Sequence, residues 1–176
     1  MIERGAQGIE FIAINTDYTA LSHSRAHATL QIGKTGLGAG ARPEVGEQAA
    51  IEAKDRIREL LQGANLVFIT AGMGGGTGTG AAPVVAQIAR EMGILTVAVV
   101  TKPFSYEGAL RMQRAEEGLV KLKQCVDSQI VIWHDKLEDE LGEDASGSEC
   151  FAAADAGLFT GGCGSSALSR TPGMLG

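Results

Sequence analysis

The chain reads Gly72-Met73-Gly74-Gly75-Gly76-Thr77-Gly78-Thr79-Gly80 between an apolar run, Leu66–Ala71, and a helix-like segment, Ala81–Met92. Six of these nine residues are glycines, so the stretch is not expected to form a packed element, because glycine loses backbone entropy and offers no side chain. Several backbone N–H groups can instead converge on one anion, helped by the N-terminal end of the following helix and by the hydroxyls of Thr77 and Thr79. A strand, a glycine-rich turn and a helix in this order predict a phosphate cradle, and therefore a nucleotide-binding protein.

Two familiar phosphate loops fit this stretch poorly. A P-loop requires Lys and then Ser or Thr after its last glycine, whereas Gly80 is followed by two alanines. The dinucleotide fingerprint fits only in a weak form, Gly76-x-Gly78-x-x-Ala81. Segment 93–102 also lacks the acidic residue that would bind a ribose hydroxyl, which disfavours a nicotinamide-dependent oxidoreductase.

The segment Gly74–Gly80 resembles the signature of the tubulin/FtsZ family, and the flanking sequence resembles the bacterial cell-division members, FtsZ. Eukaryotic-type tubulin is disfavoured because segments 36–46 and 102–104 are closer to the bacterial pattern. The similarity is close from Ile2 to about Leu141 and looser to the end of the chain. The supporting segments are Asn15–Asp17, Gly36–Gly46, Ala81–Ala86 and Thr101–Phe104.

Composition limits the remaining possibilities. The chain has 176 residues and a net charge of −6, which disfavours nucleic acid and anionic membranes as partners. No apolar run approaches the ~20 residues that span a bilayer, so no direct membrane insertion is expected. The three cysteines have no metal-binding spacing, and His23 and His27 have no third ligand nearby, so we expect no protein-bound metal and a reducing, cytoplasmic location.

The apolar pattern predicts an α/β fold, a Rossmann-like doubly wound parallel sheet. Helices are expected at Glu44–Leu61, from Ala81 with Pro83 in its first turn, and at about Tyr106–Cys125. Ligands bind at the carboxyl ends of such strands, so the loops that follow the strands should gather on one edge. The predicted strands are Ile9–Ile14, Ala28–Ile32, Leu66–Ala71, Ile94–Thr101 and Gln129–Trp133.

The resemblance divides the chain into a partial GTP-binding domain, residues 1–142, and a glycine-rich part of the central helix region, residues 143–176. It also implies that the first strand and its glycine-rich loop would precede Met1. That strand is central in the order 3-2-1-4-5-6, so the sheet is expected to have two open edges without it. The acidic loop that activates water in the family would follow Gly176, so no catalytic residue is assigned within the chain.

Predicted site residues divide by the part of the nucleotide that they would contact. The phosphates would bind at Gly72, Gly74, Gly75, Gly76, Thr77, Gly78 and Thr79. By resemblance, Ala39, Gly40 and Ala41 would lie near the terminal phosphate and its magnesium ion, although an ordinary surface loop is the alternative.

The remaining predicted contacts concern the sugar and the base. Glu107 and Arg111 would contact the ribose, although they could be only a surface ion pair. Phe151 would stack near guanine, and the carboxylate of Asp155 would accept hydrogen bonds from the guanine edge. Thr101 and Pro103 would flank the pocket, and His134 stands where the family has Asn, which should weaken binding of the base or sugar.

The resemblance therefore implies a GTP-binding cell-division protein that binds GTP or GDP, with Mg²⁺ held through the nucleotide. The intact family polymerises with copies of itself and hydrolyses GTP at the subunit interface. The alternative is a truncated, non-hydrolysing fragment without activity of its own. We predict that the 176-residue chain alone has no measurable GTPase activity.

Overall fold

The computed structural model describes residues 9–133. Short strands alternate with helices along this part of the chain, as the apolar pattern predicts. In chain order the elements are β1 (Ile12–Asn15), α1 (Tyr18–Ser22), β2 (Ala28–Gln31), α2 (Pro43–Glu52), α3 (Lys54–Leu61), β3 (Leu66–Gly72), α4 (Thr77–Glu91), β4 (Leu95–Lys102), a 3₁₀ turn (Ser105–Glu107), α5 (Ala109–Lys123) and β5 (Ser128–Trp133).

The strand pairs among the described residues are all parallel, and they form two sheets. One sheet pairs β1 with β2, and the other has the order β3-β4-β5. Within residues 9–133 no backbone hydrogen bond joins the two sheets. The break lies between β1 and β3. The α/β class with parallel strands is confirmed, whereas the expected absence of the central strand stays a prediction.

Helix packing joins the parts that strand pairing leaves separate. One apolar cluster extends from β2 through α2, α3 and α4 to α5, and α2 and α4 make the most extensive helix–helix contact. The backbones of α2 and α4 approach closely because each helix has a glycine where it meets the other, Gly46 in α2 and Gly80 in α4. A Cβ atom added at Gly46 would lie 2.5 Å from the Gly76 carbonyl oxygen, and one at Gly80 would overlap the Pro43 carbonyl oxygen. Only glycine fits such a crossing.

Two predicted helices are interrupted. The segment predicted as one helix from Glu44 to Leu61 is two helices, because the backbone at Ala53 leaves the helical region with φ −95° and ψ 11°. Nothing in the local sequence marks this break. The helix predicted from Tyr106 begins only at Ala109, because Gly108 has φ +103° and separates it from the 3₁₀ turn.

Helix α4 begins earlier than the sequence predicts. Its first residue is Thr77, so Gly78 and Gly80 are helical, and the expectation that the whole glycine stretch is unpacked is wrong for its second half. Pro83 is consequently the seventh residue of α4 and not part of its first turn, and the helix lacks one backbone donor there.

No helix among the described residues is long and apolar enough to cross a membrane.

Candidate nucleotide-binding site

The glycine stretch connects the end of β3 to the start of α4 through a short, internally braced loop. Gly72 is the last residue of β3, and the Met73 amide donates to the Thr101 carbonyl at 2.9 Å, which ties the loop to β4. The Gly74 amide donates to Thr79 Oγ1 at 2.8 Å, and Thr79 is only 3 % exposed. The Thr79 hydroxyl therefore closes the loop from inside, which leaves its backbone amide as the group it can offer to a ligand.

Five consecutive backbone amides follow, and none has a protein acceptor. The amides of residues 75–79 donate to no group within the described residues 9–133, and the first hydrogen bond of the helix runs from the Gly80 amide to the Gly76 carbonyl at 3.1 Å. The first amides of any helix lack intrahelical partners, and here two loop amides extend the set. An anion is the natural acceptor for such a row of donors at the positive end of a 15-residue helix.

The second predicted loop lies against the first. Gly76 is so close to Ala39 that a Cβ added there would lie 2.6 Å from the Ala39 Cβ. Gly40 and Ala41 both have left-handed backbones, with φ of 58° and 56°, and Ala41 is the non-glycine residue with positive φ in the described part of the chain. Ala41 therefore has a strained backbone close to the unpaired amides of the glycine loop. Such strain is common at ligand-binding sites.

A threonine pair fixes the start of α4 to the end of β1. Thr16 Oγ1 lies 2.6 Å from Thr77 Oγ1, and Thr16 is 3 % exposed. The two hydroxyls therefore share a hydrogen bond across the gap between the sheets. The Thr77 hydroxyl is thus engaged by a protein partner, and its amide remains available.

An ion pair lies beside the glycine loop. Arg111 Nη1 lies 2.9 Å from Glu107 Oε2, while Glu107 Oε1 accepts the Phe104 amide at 2.8 Å. Glu107 belongs to the 3₁₀ turn and Arg111 to α5, so they pair across Gly108 and not along one continuous helix as the sequence predicts. Both carboxylate oxygens are engaged, which holds the guanidinium of Arg111 at the start of α5.

These parts enclose a cleft of about 480 Å³. Ligand pockets typically measure about 300–1,000 Å³, so the cleft is large enough for a nucleotide in part. Two arginines and one glutamate are its charged residues, in a chain whose net charge is −6. The lining residues are Ala41, Gly74, Gly75, Gly76, Glu107, Gly108, Leu110, Arg111 and Arg114.

The structure brings most of the predicted phosphate and sugar residues together. The loop at 39–41 contacts the glycine loop, and the Glu107–Arg111 pair lines the same cleft. Pro103 is buried next to Gly74, and a Cβ atom added at Gly74 would lie 3.2 Å from the Pro103 Cγ. Thr101 contributes the carbonyl that anchors the loop and does not line the cleft.

Three predicted residues lie outside the described part of the chain, and two residues found at the site had no predicted role. His134, Phe151 and Asp155, the predicted base contacts, lie outside the described residues. Arg114 and Thr16 had no assigned role. A helical spacing of three from Arg111 is the signal that could have identified Arg114, whereas nothing in the sequence indicates the contact of Thr16.

The two histidines considered as metal ligands have separate partners. His23 Nδ1 lies 2.8 Å from the Thr19 carbonyl oxygen, and His27 Nδ1 accepts the Phe11 amide at 2.9 Å. Within residues 9–133 no group of three or more His, Cys, Asp or Glu side chains could hold a metal ion.

Comparison with known proteins agrees with this geometry. A family model described as the GTPase domain of the tubulin/FtsZ family matches residues 3–142. The chain belongs to the tubulin/FtsZ family. The cell division protein FtsZ of Pseudomonas putida is 54 % identical over 178 aligned residues, which cover 99 % of this chain and 45 % of that protein.

Solved FtsZ structures from M. jannaschii have the same fold. A mutant FtsZ has a TM-score of 0.89 at 43 % identity, covering 99 % of this chain and 53 % of that one. An FtsZ described as an empty dimer has a TM-score of 0.88 at 43 % identity, covering 99 % and 52 %. The chain thus spans about half the length of the FtsZ proteins that it matches.

Proposed function

We propose that this chain is the nucleotide-binding part of an FtsZ-type cell-division protein and binds GTP or GDP. The phosphates bind to the amides of residues 75–79, and the loop at 39–41 lies beside the terminal phosphate and the Mg²⁺ that accompanies it. The Glu107–Arg111 pair contacts the ribose, and Phe151 and Asp155 recognise guanine. The observation that carries this proposal is the row of five amides without protein acceptors, which begins at Gly75 and Gly76 in the lining of the cleft.

The intact protein, in this proposal, acts in the cytoplasm, polymerises with copies of itself and hydrolyses GTP where two subunits meet. Family membership and an FtsZ relative solved as a dimer support self-association. Phosphoryl transfer depends mainly on positioning and charge stabilisation, and we assign no described residue to the activation of water. The second candidate is a fragment that binds nucleotide without hydrolysing it, favoured by the 45 % coverage of the P. putida relative.

Calorimetry of the purified chain with GTP, GDP and ATP in the presence of Mg²⁺ tests nucleotide binding, with circular dichroism to establish folding. We expect binding of GTP and GDP in preference to ATP. A folded chain that binds neither guanine nucleotide would refute the proposal.

A substitution in the loop tests the location of the site. No atom lies within 4 Å of a Cβ atom added at Gly75, so Gly75→Asp fits the fold while it places a negative charge among the free amides. We expect it to weaken GTP binding at least tenfold, because the new carboxylate repels the negatively charged phosphates. Gln62→Glu is the control, because it makes the same change of charge at an exposed side chain after α3. Equal affinities for the two variants would place the site elsewhere.

Phosphate release separates the two candidates. The 176-residue chain is expected to bind GTP without turnover. Sustained release of phosphate by the pure chain would contradict the second candidate, a fragment that binds nucleotide without hydrolysing it.

A further inference from the structure

We propose that Arg114 is an additional phosphate-binding residue of the cleft and supplies its net positive charge. This inference rests on the proposed nucleotide site, and it concerns a side chain that the family resemblance does not assign.

The position of α5 brings Arg114 to the glycine loop. Arg111 and Arg114 are three residues apart, which places them on one face of the helix. That face is in contact with the loop, because a Cβ atom added at Gly74 would lie 2.8 Å from the Arg111 carbonyl oxygen and 2.9 Å from its Cγ. Arg114 lines the same cleft as Gly74, Gly75 and Gly76 and is half-buried.

The charges of the cleft leave Arg114 uncompensated. Glu107 is paired with Arg111 at 2.9 Å, so one positive charge remains from two arginines and one glutamate. Arg114 forms no ion pair or hydrogen bond with any side chain in residues 9–133.

The neighbouring carboxylates on α5 have other partners. Glu116 Oε1 accepts Lys102 Nζ at 3.3 Å, and Glu117 Oε1 accepts the Gln113 amide at 2.9 Å. Helix geometry also allows an i,i+3 pair between Arg114 and Glu117, and the described structure does not form it.

A free guanidinium beside a row of free amides is suited to a polyphosphate. Its planar set of N–H donors can bind two phosphate oxygens at once, and a charge-assisted hydrogen bond is stronger than a neutral one. Guanosine offers no phosphate oxygens, so Arg114 should not affect its binding.

The test compares Arg114→Gln with Lys123→Gln, which removes one positive charge from an exposed side chain at the other end of α5. Affinities for GTP, inorganic tripolyphosphate and guanosine are measured with Mg²⁺ at low and high salt, after thermal unfolding has established equal stability. We expect Arg114→Gln to weaken binding of GTP and tripolyphosphate about fivefold to tenfold, to reduce the dependence on salt, and to leave guanosine unchanged. Arg114→Lys should recover part of the loss.

The outcomes separate this inference from the proposed function. If the wild-type chain binds GTP and Arg114→Gln leaves this affinity unchanged, the role of Arg114 is refuted and the proposed function is not. The same holds if Lys123→Gln weakens GTP binding as much as Arg114→Gln does. Tripolyphosphate binding that depends on Arg114, without preference for GTP over ATP, supports the role of Arg114 and refutes guanine specificity. A folded chain that binds neither GTP nor tripolyphosphate refutes both.

Discussion

Replacing Gly80 by alanine tests whether the crossing of α2 and α4 holds the two sheets together. A Cβ atom at this position would overlap the Pro43 carbonyl oxygen and lie 2.6 Å from the Glu47 nitrogen, whereas ordinary contacts begin at 3.4 Å. The helices would have to separate by at least about 0.8 Å at Glu47. The obstructing atoms belong to the backbone, so no change of rotamer can relieve the overlap.

The expected cost follows from two opposing effects. Overpacking costs about 1–3 kcal/mol, and the backbone obstruction favours the upper end of this range. Alanine is the better helix former by about 1 kcal/mol, which offsets part of the cost. The free energy of unfolding should therefore fall by about 2 kcal/mol, which corresponds to a decrease in Tm of roughly 4–8 °C for a domain of this size.

Thermal unfolding followed by circular dichroism measures this decrease, with Gly75→Ala as the matched control. No atom lies within 4 Å of a Cβ atom at Gly75, so the control should change the free energy of unfolding by less than about 0.5 kcal/mol. A Tm for Gly80→Ala equal to or above that of Gly75→Ala would mean that the two helices are not held at this distance.

Two further predictions concern contacts away from that crossing. Thr16→Val and Thr77→Val should each destabilise the chain by about 1 kcal/mol, because each leaves a hydroxyl without its partner, and a double-mutant cycle in urea should give a coupling energy of similar size; strictly additive effects would show that the 2.6 Å contact contributes nothing. Hydrogen bonding to Lys54, and then to Arg58, holds the pKa of Glu91 below its ordinary value of 4.5. Because the folded-state pKa is depressed, the stabilisation is present above pH 4.5 and is lost as the pH falls through the folded-state pKa. Glu91→Gln should therefore be less stable than wild type at pH 7, with the difference vanishing in acid, and a difference that does not vary with pH would contradict the assignment.

Sequence reasoning located the strands and the loops because their signals are local. Short apolar runs predicted all five strands to within a few residues. The glycine stretch predicted the junction of β3 and α4, and the parallel order predicted that the loops after the strands would gather.

What it missed depends on contacts between distant segments. Helix α4 starts at Thr77, where Gly80 packs closely against Pro43 of α2, and no local propensity indicates that contact. The break at Ala53 has no local signal. The engagement of the Thr79 hydroxyl inside the loop depends on the turn that the preceding glycines adopt. The sequence shows that Arg114 is three residues from Arg111, but it does not show that α5 lies against the glycine loop.

The division between β1 and β3 also determines which amides exchange with solvent earliest. In a continuous parallel sheet the central strands are the best protected part of the molecule, because each is paired on both sides. Within residues 9–133 both strands are edges, and the inner row of amides on each has no backbone acceptor there. A hydrogen-exchange map should therefore show slow exchange centred on β4, with faster exchange along β1 and β3, and a segment that fills the space between them would reverse that order.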